Sequence, residues 1–247
     1  MNRSAAVGAK RAPDLVEADS AEQKIWRGLD YFPTPPWAAR AGAEIVKHLD
    51  PCATAIWEPA CGEGHMALPL EEYFHDVRMS DIHDHGIGAR VADFRDDDVT
   101  LTGDFLCDWV ITNPPFKHAE EFVRRGMLCA RRGVAVLCRL QFLEGGARYR
   151  LLHKSLHPLS HCAVFAERVS MTLGCWDPSA GLPTAYAWFI FDKHYAHQVR
   201  CAEIIGIPPG TRARLTKPTD IANFARRSHA PLLDEIPAQS SAANAKE

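Results

Sequence analysis

The chain has 247 residues, 47% of them hydrophobic and 24% charged, with a formal net charge of −3. That length fits one domain of about 200 residues with tails and falls short of two full domains. The charge balance excludes a globally basic nucleic-acid binder while leaving room for a local patch, and no stretch is apolar enough for a membrane span.

Residues 1–22 mix charge with small side chains and lack the apolar core of a signal peptide, so they read as a disordered tail. The patterning then predicts a helix over Trp37–Leu49, a strand over Ala53–Glu58 and a helix over Met66–Phe74. Strands follow at Asp76–Asp81 and Asp108–Thr112, then a helix over His118–Arg132 that Gly133 stops, and a strand over Gly133–Arg139. A helix over Gly146–Leu156 and strands over Cys162–Glu167 and Ala185–Phe191 complete the order. Each early strand runs into a polar or Gly/Pro-rich loop. That alternation implies an α/β, doubly wound, mostly parallel sheet with helices on both faces and ligand loops at the strands' carboxyl ends. The domain spans residues 23–193, followed by a basic extension over 194–228 and a disordered tail over 229–247. None of the eight cysteines forms a Cys-x-x-Cys pair and several lie in apolar runs, which fits free thiols in a reducing cytoplasm.

Four segments carry chemistry. In Ile56-Trp57-Glu58-Pro59-Ala60-Cys61-Gly62-Glu63-Gly64-His65 a strand enters a two-glycine turn and then a helix, which lets backbone approach a ligand. A Gly-x-Gly alone is weak, but Glu58 ends the strand with a carboxylate and no P-loop lysine follows. The site therefore suits a cationic or hydroxyl-bearing ligand better than a triphosphate. Asp81, with Ile82 after it, ends the next strand at the spacing of a ribose-binding acid; alone it would read as a loop acid or helix cap. Asp104-Phe105 offers an acid for an adenine amine and a ring to pack on it. In Trp109-Val110-Ile111-Thr112-Asn113-Pro114-Pro115-Phe116 two prolines fix the backbone after a buried strand, bracketed by an amide and an aromatic. A rigid turn accounts for the prolines but not for that bracket.

These residues resemble the amino-methyltransferases of the Rossmann-like S-adenosylmethionine (SAM)-dependent superfamily, class I, whose sheet has seven strands. Asn113-Pro114-Pro115-Phe116 is similar to the family's catalytic [D/N/S]-P-P-[Y/F/W] motif. Glu58, Pro59, Ala60, Cys61, Gly62 and Gly64 resemble its cofactor glycine motif, Asp81 its ribose acid and Asp104-Phe105 its adenine pair. The segment Tyr31-Phe32-Pro33-Thr34-Pro35-Pro36-Trp37 is similar to the one that precedes the glycine motif in DNA adenine-N6 methyltransferases of gamma-like motif order. Further likeness at Leu137–Glu144, Arg168 and Tyr186-Ala187-Trp188 is to small phage and prophage enzymes. The resemblance implies SAM as cofactor and DNA as partner. Asn113 and the Pro114 carbonyl would polarise an exocyclic amine, and Phe116 would stack on a flipped base. It implies no metal: His118-Ala119-Glu120 has no Cys-x-x-Cys after it, and His83, His85, Asp81 and Asp84 read as a polar loop. Cys61 reads as a small loop residue, since cytosine-C5 enzymes place their cysteine after a proline of the catalytic loop.

Charge is distributed unevenly. Residues 71–108 sum to −8 and residues 123–154 to +7, the basic stretch following the catalytic loop where a polynucleotide backbone would lie. Arg139, Arg148, Arg150 and Arg168 are the candidate backbone contacts and Trp176 a candidate wedge or stacking ring. With the sheet ending near Lys193, no large target-recognition domain follows. N2-guanine RNA and glutamine-N5 protein methyltransferases also use Asn-Pro-Pro loops and form the second reading. A non-catalytic cofactor- or DNA-binding module forms the third.

Overall fold

The computed structural model describes residues 21–98, 106–181, 183–195 and 201–225. Helices α1 (Ala21–Leu29) and α2 (Pro36–Leu49) precede strand β1 (Ala55–Glu58), the short helix α3 (Ala67–Leu70) and strands β2 (Asp76–Asp81) and β3 (Arg90–Val91). Strand β4 (Cys107–Thr112), helix α4 (Ala119–Cys129), strand β5 (Ala130–Arg139), helix α5 (Gly146–Lys154) and strands β6 (His161–Phe165) and β7 (Tyr186–Asp192) follow. Strand β8 (Glu203–Ile207) and helices α6 (Thr211–Leu215) and α7 (Pro218–Phe224) close the described chain.

The strands form one sheet in the order β3-β2-β1-β4-β5-β7-β6-β8. All run parallel except β7, which is antiparallel to both β5 and β6. The central strands are covered on both faces, as their unbroken apolar runs require: Trp109–Thr112 and Val134–Cys138 are buried throughout. One face packs on α2 and α3 through Trp37, Val46, Met66 and Leu70. The other packs on α4 and α5 through Phe122, Val123, Leu151 and Leu152. The buried indoles are satisfied. Trp57 donates to Ser80 Oγ at 2.9 Å, Trp109 to Asp50 Oδ2 at 3.0 Å and Trp188 to the Ala38 carbonyl at 3.1 Å.

Three expectations change. The helix after Asn113 ends at Cys129, not Arg132, and Gly133 stands inside β5, where a Cβ would lie 2.4 Å from the Phe191 carbonyl oxygen and 2.7 Å from the Trp109 ring. That glycine serves close packing, not helix termination. The helix foreseen over Met66–Phe74 is a single turn, because beyond Leu70 the backbone tightens into i→i−3 bonds, Glu72 N–H to the Pro69 carbonyl and Tyr73 N–H to the Leu70 carbonyl. The described sheet has eight strands instead of seven and extends past Lys193: β8 pairs with β6 along its whole length, from His161↔Glu203 to Phe165↔Ile207.

The last helices are tied to the first. Arg40 of α2 is 2% exposed and donates to both oxygens of Asp220 at 2.7 Å, to both of Glu72 at 2.9 Å and to the Leu215 carbonyl at 2.8 Å. Burial opposes its charge, yet the hydrogen bonds and charges of Asp220 and Glu72 outweigh that and hold its pKa above the ordinary guanidinium range.

Candidate active site

Parallel strands deliver their last residues to one edge, and a cleft opens there. Its open space is about 980 Å³, solvent mouth included, and Glu58, Asp81, Asn113 and the segment Tyr31–Thr34 line it. Glu58 is the last residue of β1 and fully buried; its Oε1 accepts the Ala60 N–H at 3.1 Å. Its Oε2, beside the Thr112 hydroxyl, makes no well-formed hydrogen bond. Burial pushes the carboxyl up to about 8, against the opposing pull of Thr112 and Ala60, and the nearby Asp81 charge adds to the rise.

Asp81 ends β2 and organises the turn opposite. Its Oδ2 accepts the Gly62 N–H and its Oδ1 the His83 N–H, both at 2.9 Å. Gly62 has φ +53° and Gly64 φ +83°, conformations that favour glycine. A Cβ on Gly62 would stand 2.4 Å from the Tyr31 ring. Pro59, Ala60, Cys61 and the half-exposed Ile82 complete this wall. Burial, then the neighbouring Glu58 and Asp81 carboxyls, push the Cys61 thiol up, which disfavours its thiolate form.

The catalytic-loop candidate follows β4. Asn113 Nδ2 donates to the Phe32 carbonyl at 2.8 Å and lies 3.6 Å from Met171 Sδ, while its Oδ1 is buried without a partner. The Phe32 carbonyl thus fixes which way the amide faces and leaves the acceptor oxygen open. The Pro115 carbonyl is used inside the loop by the His118 N–H at 2.8 Å. Phe116 sits beyond the cleft. It lines, with Arg139, Gln141 and Phe142, a second hollow of about 390 Å³ including open solvent. Its ring centroid lies 5.4 Å from that of Phe32, and the Arg139 guanidinium stands 4.4 Å over it.

Asp104-Phe105 lies outside the described residues. The structure supplies another Asp-Phe pair: Asp93 and Phe94, directly after β3, line the cleft, with Phe94 2% exposed and edge-on to Trp57 at 4.8 Å. Asp93 is engaged by Arg95 at 2.6 Å, which with its other hydrogen bonds lowers its pKa. Asp30, His65 and His85 also line the cleft; sequence reasoning assigns no role to Asp30 and His65 and reads His85 as a polar-loop residue. His65 reaches the Phe224 carbonyl at 3.1 Å, so the end of α7 touches the cleft wall.

The basic candidates divide. Arg139, Arg150 and Arg168 are exposed. Arg148 instead donates to the carbonyls of Glu144 at 2.8 Å and Gln141 at 3.3 Å, closing the turn before α5. Trp176 is 3% exposed and bridges to Ala225, so it is a packing residue and not an exposed wedge. Among the described residues, no group of three or more His, Cys, Asp or Glu could hold a metal ion, and no helix is long and apolar enough to cross a membrane.

No protein-family model matches the sequence, and no curated protein matches it. Solved structures do. A type I restriction-modification system methyltransferase subunit from Streptococcus thermophilus is 14% identical with a TM-score of 0.53, over 74% of this chain and 49% of that one. A modification subunit assigned to a type I restriction enzyme of Vibrio vulnificus is 14% identical with a TM-score of 0.48, over 78% of this chain and 51% of that one. Magnesium protoporphyrin IX methyltransferase from Synechocystis, with bound SAH, is 13% identical with a TM-score of 0.42, over 68% of this chain and 82% of that one. The chain spans about half the length of the two restriction-modification subunits. The fold is that of the Rossmann-like class I methyltransferases.

Proposed function

We propose that the chain is a SAM-dependent methyltransferase that methylates an exocyclic amine, N6 of adenine in DNA, by direct transfer to a flipped base. The observation that carries this reading is the Asn113 amide, anchored through Nδ2 to the Phe32 carbonyl with Oδ1 buried and unpartnered. A buried acceptor left open costs roughly 1–3 kcal/mol, which a donor N–H from a substrate recovers.

The cleft fits the cofactor on its own residues. Glu58 has a buried carboxyl with one oxygen lacking a well-formed bond, Asp81 stands opposite, Gly62 makes room for close approach, and Phe94 gives a ring. That donor set suits a ligand bearing positive charge, ribose hydroxyls and an adenine. When bound, SAM supplies a methyl group already activated on a sulfonium. The chain's own part is to orient and polarise. Asn113 Oδ1 and the Pro114 carbonyl accept the two N–H groups of the amine, freeing its lone pair and stabilising the charge that develops on nitrogen. Pro114 supplies the second acceptor because the Pro115 carbonyl is bound to His118. Phe116, three residues after Asn113, offers a ring on which a planar base lifted from its stack packs. The exposed Arg139, Arg150 and Arg168 favour a polyanionic substrate.

Incubation with tritiated SAM and DNA, RNA or protein tests the reading, with mass spectrometry of the nucleosides. Label in DNA as N6-methyladenine is expected. Label confined to RNA or protein overturns the substrate, and no label in any acceptor overturns the activity. Asn113→Ala should bind SAM normally and transfer about 10²–10³-fold more slowly.

A further inference from the structure

Residues 30–32 leave the end of α1 and grip two different loops in succession. Asp30 Oδ2 accepts the Lys117 N–H at 3.3 Å, just past the catalytic-loop motif. Tyr31 turns to the glycine loop, where its hydroxyl accepts the Glu63 N–H at 3.3 Å and its ring fills the space beside Gly62. Phe32 returns to the catalytic loop: its carbonyl accepts from Asn113 Nδ2 at 2.8 Å and its ring packs on Phe116 at 5.4 Å.

Asp30 is also the one non-glycine residue with a positive φ, +55°, among the described residues. A left-handed residue ends many helices, and glycine fills that place without strain. The Asp30 N–H to the Arg27 carbonyl at 3.2 Å and the Tyr31 N–H to the Trp26 carbonyl at 2.9 Å are bonds of that kind. Helix termination therefore explains the backbone but not the choice of aspartate. The carboxyl explains the choice, because it adds an acceptor that glycine lacks and places it on the Lys117 N–H. Strain accepted at a ligand cleft is the pattern expected of a functional constraint.

We propose that Asp30 is a positioning residue for the catalytic loop. With the Phe32 carbonyl holding Asn113 and Asp30 holding Lys117, the strap pins both ends of the loop and presents Asn113 Oδ1 to the acceptor amine. Tyr31 lies between these two contacts, on the glycine loop. This role rests on the methyl-transfer reading of the same site.

The test compares full-length Asp30→Gly, Asp30→Asn and wild-type protein. Glycine keeps the left-handed backbone and loses the acceptor; asparagine tolerates the backbone and keeps an acceptor oxygen. Three readouts are taken: S-adenosylhomocysteine affinity by calorimetry, residue-resolved hydrogen exchange at Lys117, and kcat and KM for methylation of DNA. Asp30→Gly should leave S-adenosylhomocysteine affinity unchanged, speed exchange at Lys117 and lower kcat about three- to tenfold. Asp30→Asn should restore both exchange and kcat. Wild-type exchange and kcat in Asp30→Gly would overturn the proposal. A fall in S-adenosylhomocysteine affinity matching the fall in kcat would also overturn it, making Asp30 a cofactor ligand. If the wild-type protein methylates nothing, the activity is what fails, and exchange at Lys117 still decides whether Asp30 holds the loop.

Discussion

Two sets of buried ionisable groups in this molecule are built on opposite principles. Arg40, Asp220 and Glu72 join α2, α3 and the last two helices, and each oxygen of the two carboxylates receives a guanidinium N–H. Glu58 and Asp81 end adjacent parallel strands; among the described residues neither is bonded to a guanidinium, Asp81 has His85 Nε2 at 3.6 Å, and Glu58 Oε2 is left without a well-formed bond. A charge enclosed by opposite charge fastens elements together. A carboxyl enclosed without one is unstable until something cationic arrives, so its environment selects a ligand. The same residue types are architecture in one place and, on the proposed reading, recognition in the other.

The strongest way to break the comparison is to remove the cation from the satisfied set. Arg40→Ala leaves Asp220, itself 1% exposed, with a buried charge and no guanidinium. The expected loss is about 3–5 kcal/mol of stability, measured as a lowered denaturation midpoint, because an orphaned buried partner costs more than the pair was worth. A variant as stable as wild type would mean that α6 and α7 are not fastened through this pair.

The next largest effect is expected on the ligand side. Gly62→Ala puts a Cβ on a residue at φ +53° and 2.4 Å from the Tyr31 ring. Left-handed backbone alone costs an L-residue about 1–2 kcal/mol, and the ring has to move as well. Cofactor affinity should fall by more than tenfold, a larger change than in stability, because both the Asp81-bound turn and Tyr31 are displaced. Unchanged affinity in calorimetry would remove the glycine loop from the binding wall.

The two sets also differ in how far the sequence revealed them. Glu58, Asp81 and Asn113 were legible because each stands just after an apolar run, at the edge where parallel strands place ligand groups. Arg40 and Asp220 are separated by 180 residues, and no local pattern joins them. The same blindness hid β8, whose exposed Glu203 and Ile204 read as tail until β6 supplied a partner. Asp93-Phe94 was overlooked because the dipeptide recurs at 104–105, and the strand that precedes it, β3, has two residues, too few for any periodicity. Trp176 and Arg148 show the limit for single side chains. Composition suggests a stacking ring or a phosphate ligand, whereas burial removes Trp176 from an exposed role and two backbone carbonyls hold the Arg148 guanidinium against its own turn.

The finest test of the contrast is the pH behaviour of Glu58. In the unfolded chain it titrates near 4.5 and in the folded protein near about 8, burial being the main cause. Between those values the folded protein retains a proton that the unfolded chain has released, so folding stability falls as pH rises. The loss begins above the unfolded value, is complete above the folded one, and proceeds at up to about 1.4 kcal/mol per pH unit. Glu58→Gln removes the titration. Its Tm should exceed that of wild type by a margin that widens from pH 5 to pH 8, while its affinity for SAM drops, since an amide cannot give up a proton and ionise to meet a cation. Stability gained and affinity lost at one residue is the signature of a charge kept for binding. A Tm margin that stays constant across that range would mean that Glu58 is ionised in the empty protein and already has a partner. The cleft would then resemble the Arg40 set, and the contrast between the two would fail.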